Sequence, residues 1–181
     1  MKKRLGKNAY FFLIDSILAL GILVIGGFIV YSSYTKIPAK EDSSFLSETA
    51  MGFFTGTKIK NLNSPYAGLN GQLWQQGIIT NEDNTLLQQI GVFYAKNDIV
   101  TAEKFISNIT ENTIPKQYLF EFRIDDQLLY PRNPSQNHLN SKASTQVLIP
   151  SRKLVHGFLN EETGELFGPY SAEVLVWKKA G

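Results

Sequence analysis

The architecture turns on one stretch, Phe11-Phe12-Leu13-Ile14-Asp15-Ser16-Ile17-Leu18-Ala19-Leu20-Gly21-Ile22-Leu23-Val24-Ile25-Gly26-Gly27-Phe28-Ile29-Val30-Tyr31. Only Asp15 and Ser16 interrupt its run of apolar, aromatic and glycine residues. About 20 helical residues at a rise of about 1.5 Å cover about 30 Å, the thickness of a bilayer core. The apolar core of a secretory signal peptide is shorter, about 7–15 residues, and runs into a small-x-small cleavage site. No such site follows here. The stretch therefore predicts a hydrophobic transmembrane or filament-core helix over residues 11–36.

Charge sets the orientation. Lys2, Lys3, Arg4 and Lys7 precede the helix, and no acidic residue lies among the first ten. The positive-inside rule makes residues 1–10 a cytoplasmic basic leader and puts residues 37–181 outside, as an extracytoplasmic domain of a single-pass membrane protein. With four of the 18 basic residues in the leader, the rest of the chain carries 14 against 16 acidic ones. A near-neutral domain lacks the concentrated basic face that phosphate binding needs, which argues against nucleic acid as a partner. There is no cysteine, so disulfides, thiolate metal sites and cysteine nucleophiles are excluded. An aromatic content of 12 % supplies an apolar core instead.

Asp15 breaks the apolar pattern. A carboxylate inside a membrane costs about 2.5–3.5 kcal/mol on insertion scales. Two readings follow: a hydrated charge near the helix start, or a partner for a cation on another subunit. The residues Phe11-Phe12-Leu13-Ile14-Asp15-Ser16-Ile17-Leu18-Ala19-Leu20, behind a basic leader, resemble the start of a type IV pilin with its class III signal peptide. In that family a prepilin peptidase cuts before the Phe, and a Glu at the fifth mature position pairs with a neighbour's N-terminal amine. The resemblance implies Phe11 as the first mature residue and Asp15 as the fifth, the two assembly residues. Lys7, Ala9 and Tyr10 then form the leader and cleavage region. Asp stands for Glu, and Tyr10 stands where the family usually has Gly or Ala; a cut after Ala9 would make Asp15 the sixth residue. Ala19, Gly21, Gly26 and Gly27 are small residues that let helices pack closely. The overall style resembles archaeal pilin-like membrane proteins, including Leu73-Trp74-Gln75-Gln76-Gly77-Ile78-Ile79-Thr80-Asn81 and Gly168-Pro169-Tyr170 leading into Ala172–Trp177.

Beyond the apolar stretch, Pro38 ends the first helix. Phe45, Leu46, Thr49, Ala50, Phe53 and Phe54 predict a second helix behind an Asp42-Ser43-Ser44 cap. Residues 57–79 read as a connection with a short element around Leu73-Trp74. A capping box at Thr80-Asn81-Glu82-Asp83 would open a helix carrying Leu86, Leu87, Ile90 and Phe93. Ala102, Phe105, Ile106 and Ile109 mark the buried face of another, from about Ile99 to Asn112. Tyr118, Phe120, Phe122 and Ile124 then alternate with Leu119, Glu121 and Arg123, a strand with one apolar face. Asp125-Asp126 turns it into a hairpin with Gln127–Tyr130. Residues 131–144 read as a polar loop, and 145–149, 152–159 and 170–177 as further strands. The fold class expected is α+β: a long N-terminal hydrophobic helix, then a small domain of helices packed on an antiparallel sheet.

Little in the chain carries chemistry. His138, in the polar loop, and His156, in a strand, share no metal-ligand spacing. The acid pairs Glu41-Asp42, Asp125-Asp126 and Glu161-Glu162 fall at caps and turns. There is no phosphate-binding glycine loop, nucleophile elbow or calcium loop, so no catalytic residue, metal or cofactor is expected, nor a small-molecule substrate. Asn108-Ile109-Thr110 is a glycosylation sequon, with Asn108 as acceptor. The expected function is a pilin-like subunit of a type IV filament, or of a related surface, adhesion or secretion assembly. Its partners would be other pilin-like subunits, prepilin peptidase and the membrane. The rival readings are an uncleaved single-pass protein whose outer domain binds a partner or envelope component, and a membrane-tethered enzyme.

Overall fold

The computed structural model describes residues 15–27, 42–111, 113–145 and 148–179. Contacts divide the chain into two units, Met1–Lys40 and Glu41–Gly181.

In the first unit, residues 15–27 form helix α1. This corrects the expected long N-terminal helix. Among the described residues no helix is long and apolar enough to cross a membrane. The 13 described residues of α1 rise about 20 Å at about 1.5 Å each, against about 30 Å for a bilayer core. The rest of the expected 11–36 helix, and the leader with Lys7, Ala9, Tyr10 and Phe11, lie outside the described residues. The α+β half of the expectation stands, with helices and a four-stranded antiparallel sheet in the second unit.

That unit opens with α2 (Asp42–Gly56), a 3-10 turn (Ile59–Asn61) and α3 (Gln72–Gln75). It continues through α4 (Leu86–Ala95) and α5 (Ile99–Thr110), then β1 (Tyr118–Ile124) and β2 (Gln127–Tyr130). It closes with α6 (Gln136–Ser144), β3 (Ser151–Asn160) and β4 (Glu165–Lys178). The sheet order is β2-β1-β4-β3 and every pairing is antiparallel. Asp125 and Asp126 take φ of 46° and 66°, so the β1–β2 turn uses two left-handed residues, a conformation Asp tolerates.

Alternation decides the two faces of the sheet. Phe120, Phe122, Ile124, Ala172, Val174 and Val176 are buried on one face. There Phe54 of α2 meets Phe122 edge to face, with ring centroids 5.0 Å apart. The buried seam of α2 is Ser47, Ala50, Met51 and Phe54, a set at i, i+3, i+4 and i+7; Phe45, expected inside, is 68 % exposed. Ser47 turns inward because it has a partner. The Val176 N–H lies beyond the β3 ladder, which ends at Ser151↔Val174, and donates to Ser47 Oγ at 3.1 Å.

Helix α4 begins at a capping box that starts at Thr85 and not at Thr80 as predicted: Gln88 N–H donates to Thr85 Oγ1 at 3.1 Å, and Thr85 N–H to Gln88 Oε1 at 2.9 Å. Asn81 makes a local turn instead, accepting from Asp83 N–H at 2.8 Å. Gly91 of α4 and Gly157 of β3 flank the Phe167 ring; a Cβ on either would come within 2.5 and 2.9 Å of it, respectively. Residues 131–144 are not a loop throughout, since they contain α6. Residues 145, 148 and 149 are not strand.

Candidate functional site

The expected assembly surface is α1. Its large apolar side chains lie open: Ile17, Leu18, Leu20, Ile22, Leu23, Val24 and Ile25 are 59–73 % exposed. Asp15 stands at its first described turn and is also exposed. Gly21, Gly26 and Gly27 have nothing within 4 Å of where a Cβ would sit, so their smallness leaves open surface for a close neighbour. Ala19 is exposed in the same run. A helix apolar on every side has no solvent face, and such a helix is stable only when something apolar covers it.

Asn108, the sequon asparagine, lies on α5. Its Oδ1 accepts from Ser64 Oγ at 2.6 Å, and Ser64 Oγ accepts from the N–H of Tyr66 and of Ala67. The amide is part of a hydrogen-bonded tie between α5 and the 62–71 connection.

The densest chemistry of the second unit lies on the other face of the sheet, beneath α6. Glu121 projects from the centre of β1 and is 2 % exposed. Lys142 Nζ donates to its Oε2 at 2.5 Å and Arg123 to the same oxygen at 3.0 Å. His138 Nε2 lies 3.5 Å from Oε1. Trp177 supplies the floor: the His138 ring meets it edge to face at 4.7 Å, and Lys142 Nζ sits 5.7 Å above it. Burial pushes the Glu121 carboxyl up, but the hydrogen bonds and charges of Lys142 and Arg123 outweigh it and hold the group below its usual value. Burial lowers the His138 imidazole despite Glu121 beside it, which keeps the ring neutral near pH 7.

α6 places these groups. Ser135 accepts from His138 N–H at 3.3 Å as N-cap, and His138 and Lys142, one turn apart, share a face. The cluster is an ion-paired clamp that fixes α6 to β1 and β4. His156 is exposed on β3, and nothing unites it with His138. Among the described residues no group of three or more His, Cys, Asp or Glu side chains is placed to hold a metal ion.

No protein-family model, no curated protein and no solved structure matches this chain. The functional reading therefore stands on these residues alone.

Two larger cavities flank the sheet. One, of about 380 Å³, lies between α4 and the β3–β4 turn and includes Asn81, Gln89 and Glu161. The other, of about 460 Å³, runs from the end of α5 past Tyr118 and Phe120 to His138. Sequence reasoning did not find His138 as a buried group. Its signal was Ser135 after Pro134, a helix cap, followed by His138 and Lys142 at helical spacing.

Proposed function

We propose that the chain is a pilin-like subunit of a type IV filament or a related surface or secretion assembly, held at the membrane before it assembles. The observation that supports this most is α1, a helix that carries Asp15 and whose large apolar side chains stand 59–73 % exposed. Neighbouring subunits supply the apolar cover that such a helix requires. Asp15 pairs with the N-terminal amine of a neighbour. An uncompensated carboxylate in an apolar contact is costly, so the pair selects register more than it adds stability. The second unit, with its clamped α6, forms the outward surface.

Intact mass of protein from the membrane fraction, compared with that from cells lacking a prepilin peptidase, tests the reading. Loss of the leader at Ala9 or Tyr10, dependent on the enzyme, is expected. A chain that keeps its leader in both strains overturns it in favour of an uncleaved membrane-anchored protein whose outer domain binds a partner. Tyr10, at the junction, is the residue that keeps this second reading in play.

A further inference from the structure

The β1–β2 ladder stops at Phe122↔Tyr130, whereas β1 begins four residues earlier, at Tyr118. Two hydrogen bonds show which way the main chain of this overhang faces. Lys179 N–H donates to the Gln117 carbonyl at 2.8 Å, and Asp125 N–H to the Ser171 carbonyl at 2.9 Å. Odd-numbered residues along β1 therefore bond to β4. The N–H and C=O groups of even-numbered residues point the opposite way, because successive residues of a strand face opposite neighbours. At Phe122 and Ile124 that neighbour is β2. At Tyr118 and Phe120 no strand stands opposite among the described residues.

The chain beyond Tyr130 does not extend the ladder, since Arg132 N–H donates to Glu103 at 2.9 Å instead. Tyr118 N–H is taken by the Pro115 carbonyl at 2.9 Å. The Tyr118 carbonyl and both polar main-chain groups of Phe120 remain on the open edge. Tyr118, Leu119 and Phe120 line the cavity of about 460 Å³, with Ser107 of α5 on one wall and Pro131 and His138 on another. The Phe120 and Tyr130 rings stack there at 4.7 Å. The His138 ring borders the same cavity, with its Nε2 3.5 Å from Glu121 Oε1.

We propose that this cavity binds a short extended polypeptide segment of another protein, added as a strand to the free end of β1. A row of alternating main-chain donors and acceptors at strand spacing is matched by another main chain. The overhang Tyr118–Glu121 is about 13 Å long at about 3.3 Å per residue, room for three or four residues of a partner. The aromatic walls take an apolar side chain. Glu111 and Lys116 both line the cavity and offset each other's charge, which favours an uncharged segment over an acidic or basic one. The inference does not depend on the assembly reading, because it rests on the second unit alone.

Amide hydrogen exchange of the full chain in detergent tests the open edge first. The Phe120 amide should exchange at least about tenfold faster than those of Phe122 and Ile124, which β2 covers. Equal protection at the three positions overturns the proposal. The probe for the ligand is a phage-displayed library of random dodecapeptides, with the recovered sequences synthesised. Their binding should slow exchange at Phe120 and be lost when alternate peptide amides are N-methylated. It should also be lost in Ser107→Trp, which fills the cavity from an exposed position on α5 and leaves the melting temperature unchanged. Recovery of no peptide, or of peptides indifferent to both changes, overturns the proposal. Binding of fragment-sized aromatic compounds without any peptide overturns it in favour of a small-molecule site.

Discussion

His138 and Glu121 make stability depend on pH in one direction. The folded state lowers the His138 pKa, so between that value and the ordinary value of about 6.5 the unfolded chain binds more protons, and acidification favours unfolding. Glu121 is lowered too, so its contribution is present above the ordinary carboxyl value of about 4.3 and is lost as pH falls through the folded one. Urea unfolding should therefore show lower stability at pH 5 than at pH 7.5, with Glu121 and Lys142 the charged groups acting on the imidazole and Arg123 paired to Glu121. His138→Asn should flatten the slope between pH 7 and 5 while leaving the loss below pH 4.5 in place. A slope unchanged in that variant would show that the imidazole is not its source. Glu121→Gln should cost about 2–3 kcal/mol at pH 7, because its charge-assisted bonds to Lys142 and Arg123 are lost. On the far side of the sheet, Gly91→Ala would push a Cβ to 2.5 Å from the Phe167 ring and 3.0 Å from a Val155 methyl group. Overpacking should cost about 1–3 kcal/mol, measured as a lower urea midpoint, despite the better helix propensity of Ala.

Among the elements, α2 and α6 do jobs that an apolar pattern does not announce. α2 covers the end of β4 through Ser47, which is fully buried. Ser47→Ala should leave the Val176 N–H without its acceptor and cost about 1–3 kcal/mol, whereas Glu48→Ala, on the exposed side of α2, should cost less than about 0.5 kcal/mol. Equal effects would show that the Ser47 hydroxyl is not the acceptor that matters. The same features explain what the sequence could and could not reveal. α5, β1 and β4 were legible because their periods of 3.6 and 2 are carried by large apolar residues such as Phe105, Phe120 and Val174. The seam of α2 was displaced by one position because Phe45 is apolar but exposed, while Ser47 is polar but buried. α6 was read as loop because it buries only His138 and Ser141 and is held by charges on other elements. Charge pairing between distant elements leaves no periodicity in the chain. The capping box at Thr85–Gln88 competed with the similar Thr80–Asp83 run, and only the fold separates them.

At the scale of the whole molecule, the two units differ in kind. The second buries its apolar residues in one core around Phe54, Phe93, Phe105 and Phe122. The first displays them along α1. The sequence predicts a helix over residues 11–36; residues 15–27 are described as helix, and no described helix is long and apolar enough to cross a membrane. The assembly reading predicts a division of labour between the units. Asp15→Ala should leave expression and the cooperative unfolding of the second unit unchanged, yet reduce filament yield at least about tenfold, since the lost pair sets register. Sedimentation of sheared surface material measures the yield. Normal yield from that variant would remove Asp15 from assembly.

The two glycines that face each other across Phe167 have a consequence for how this chain can diverge. Position 91 on α4, position 157 on β3 and position 167 on β4 share one small volume, so a larger side chain at one must be met by a smaller one at another. A descendant that acquires a side chain at 91 should be rescued by a smaller residue at 167, and Gly91→Ala with Phe167→Leu should recover part of what the first change costs alone. Substitutions at these three sites would then appear in lineages together or not at all, a correlated signature of helix and hairpin pressed against a single ring.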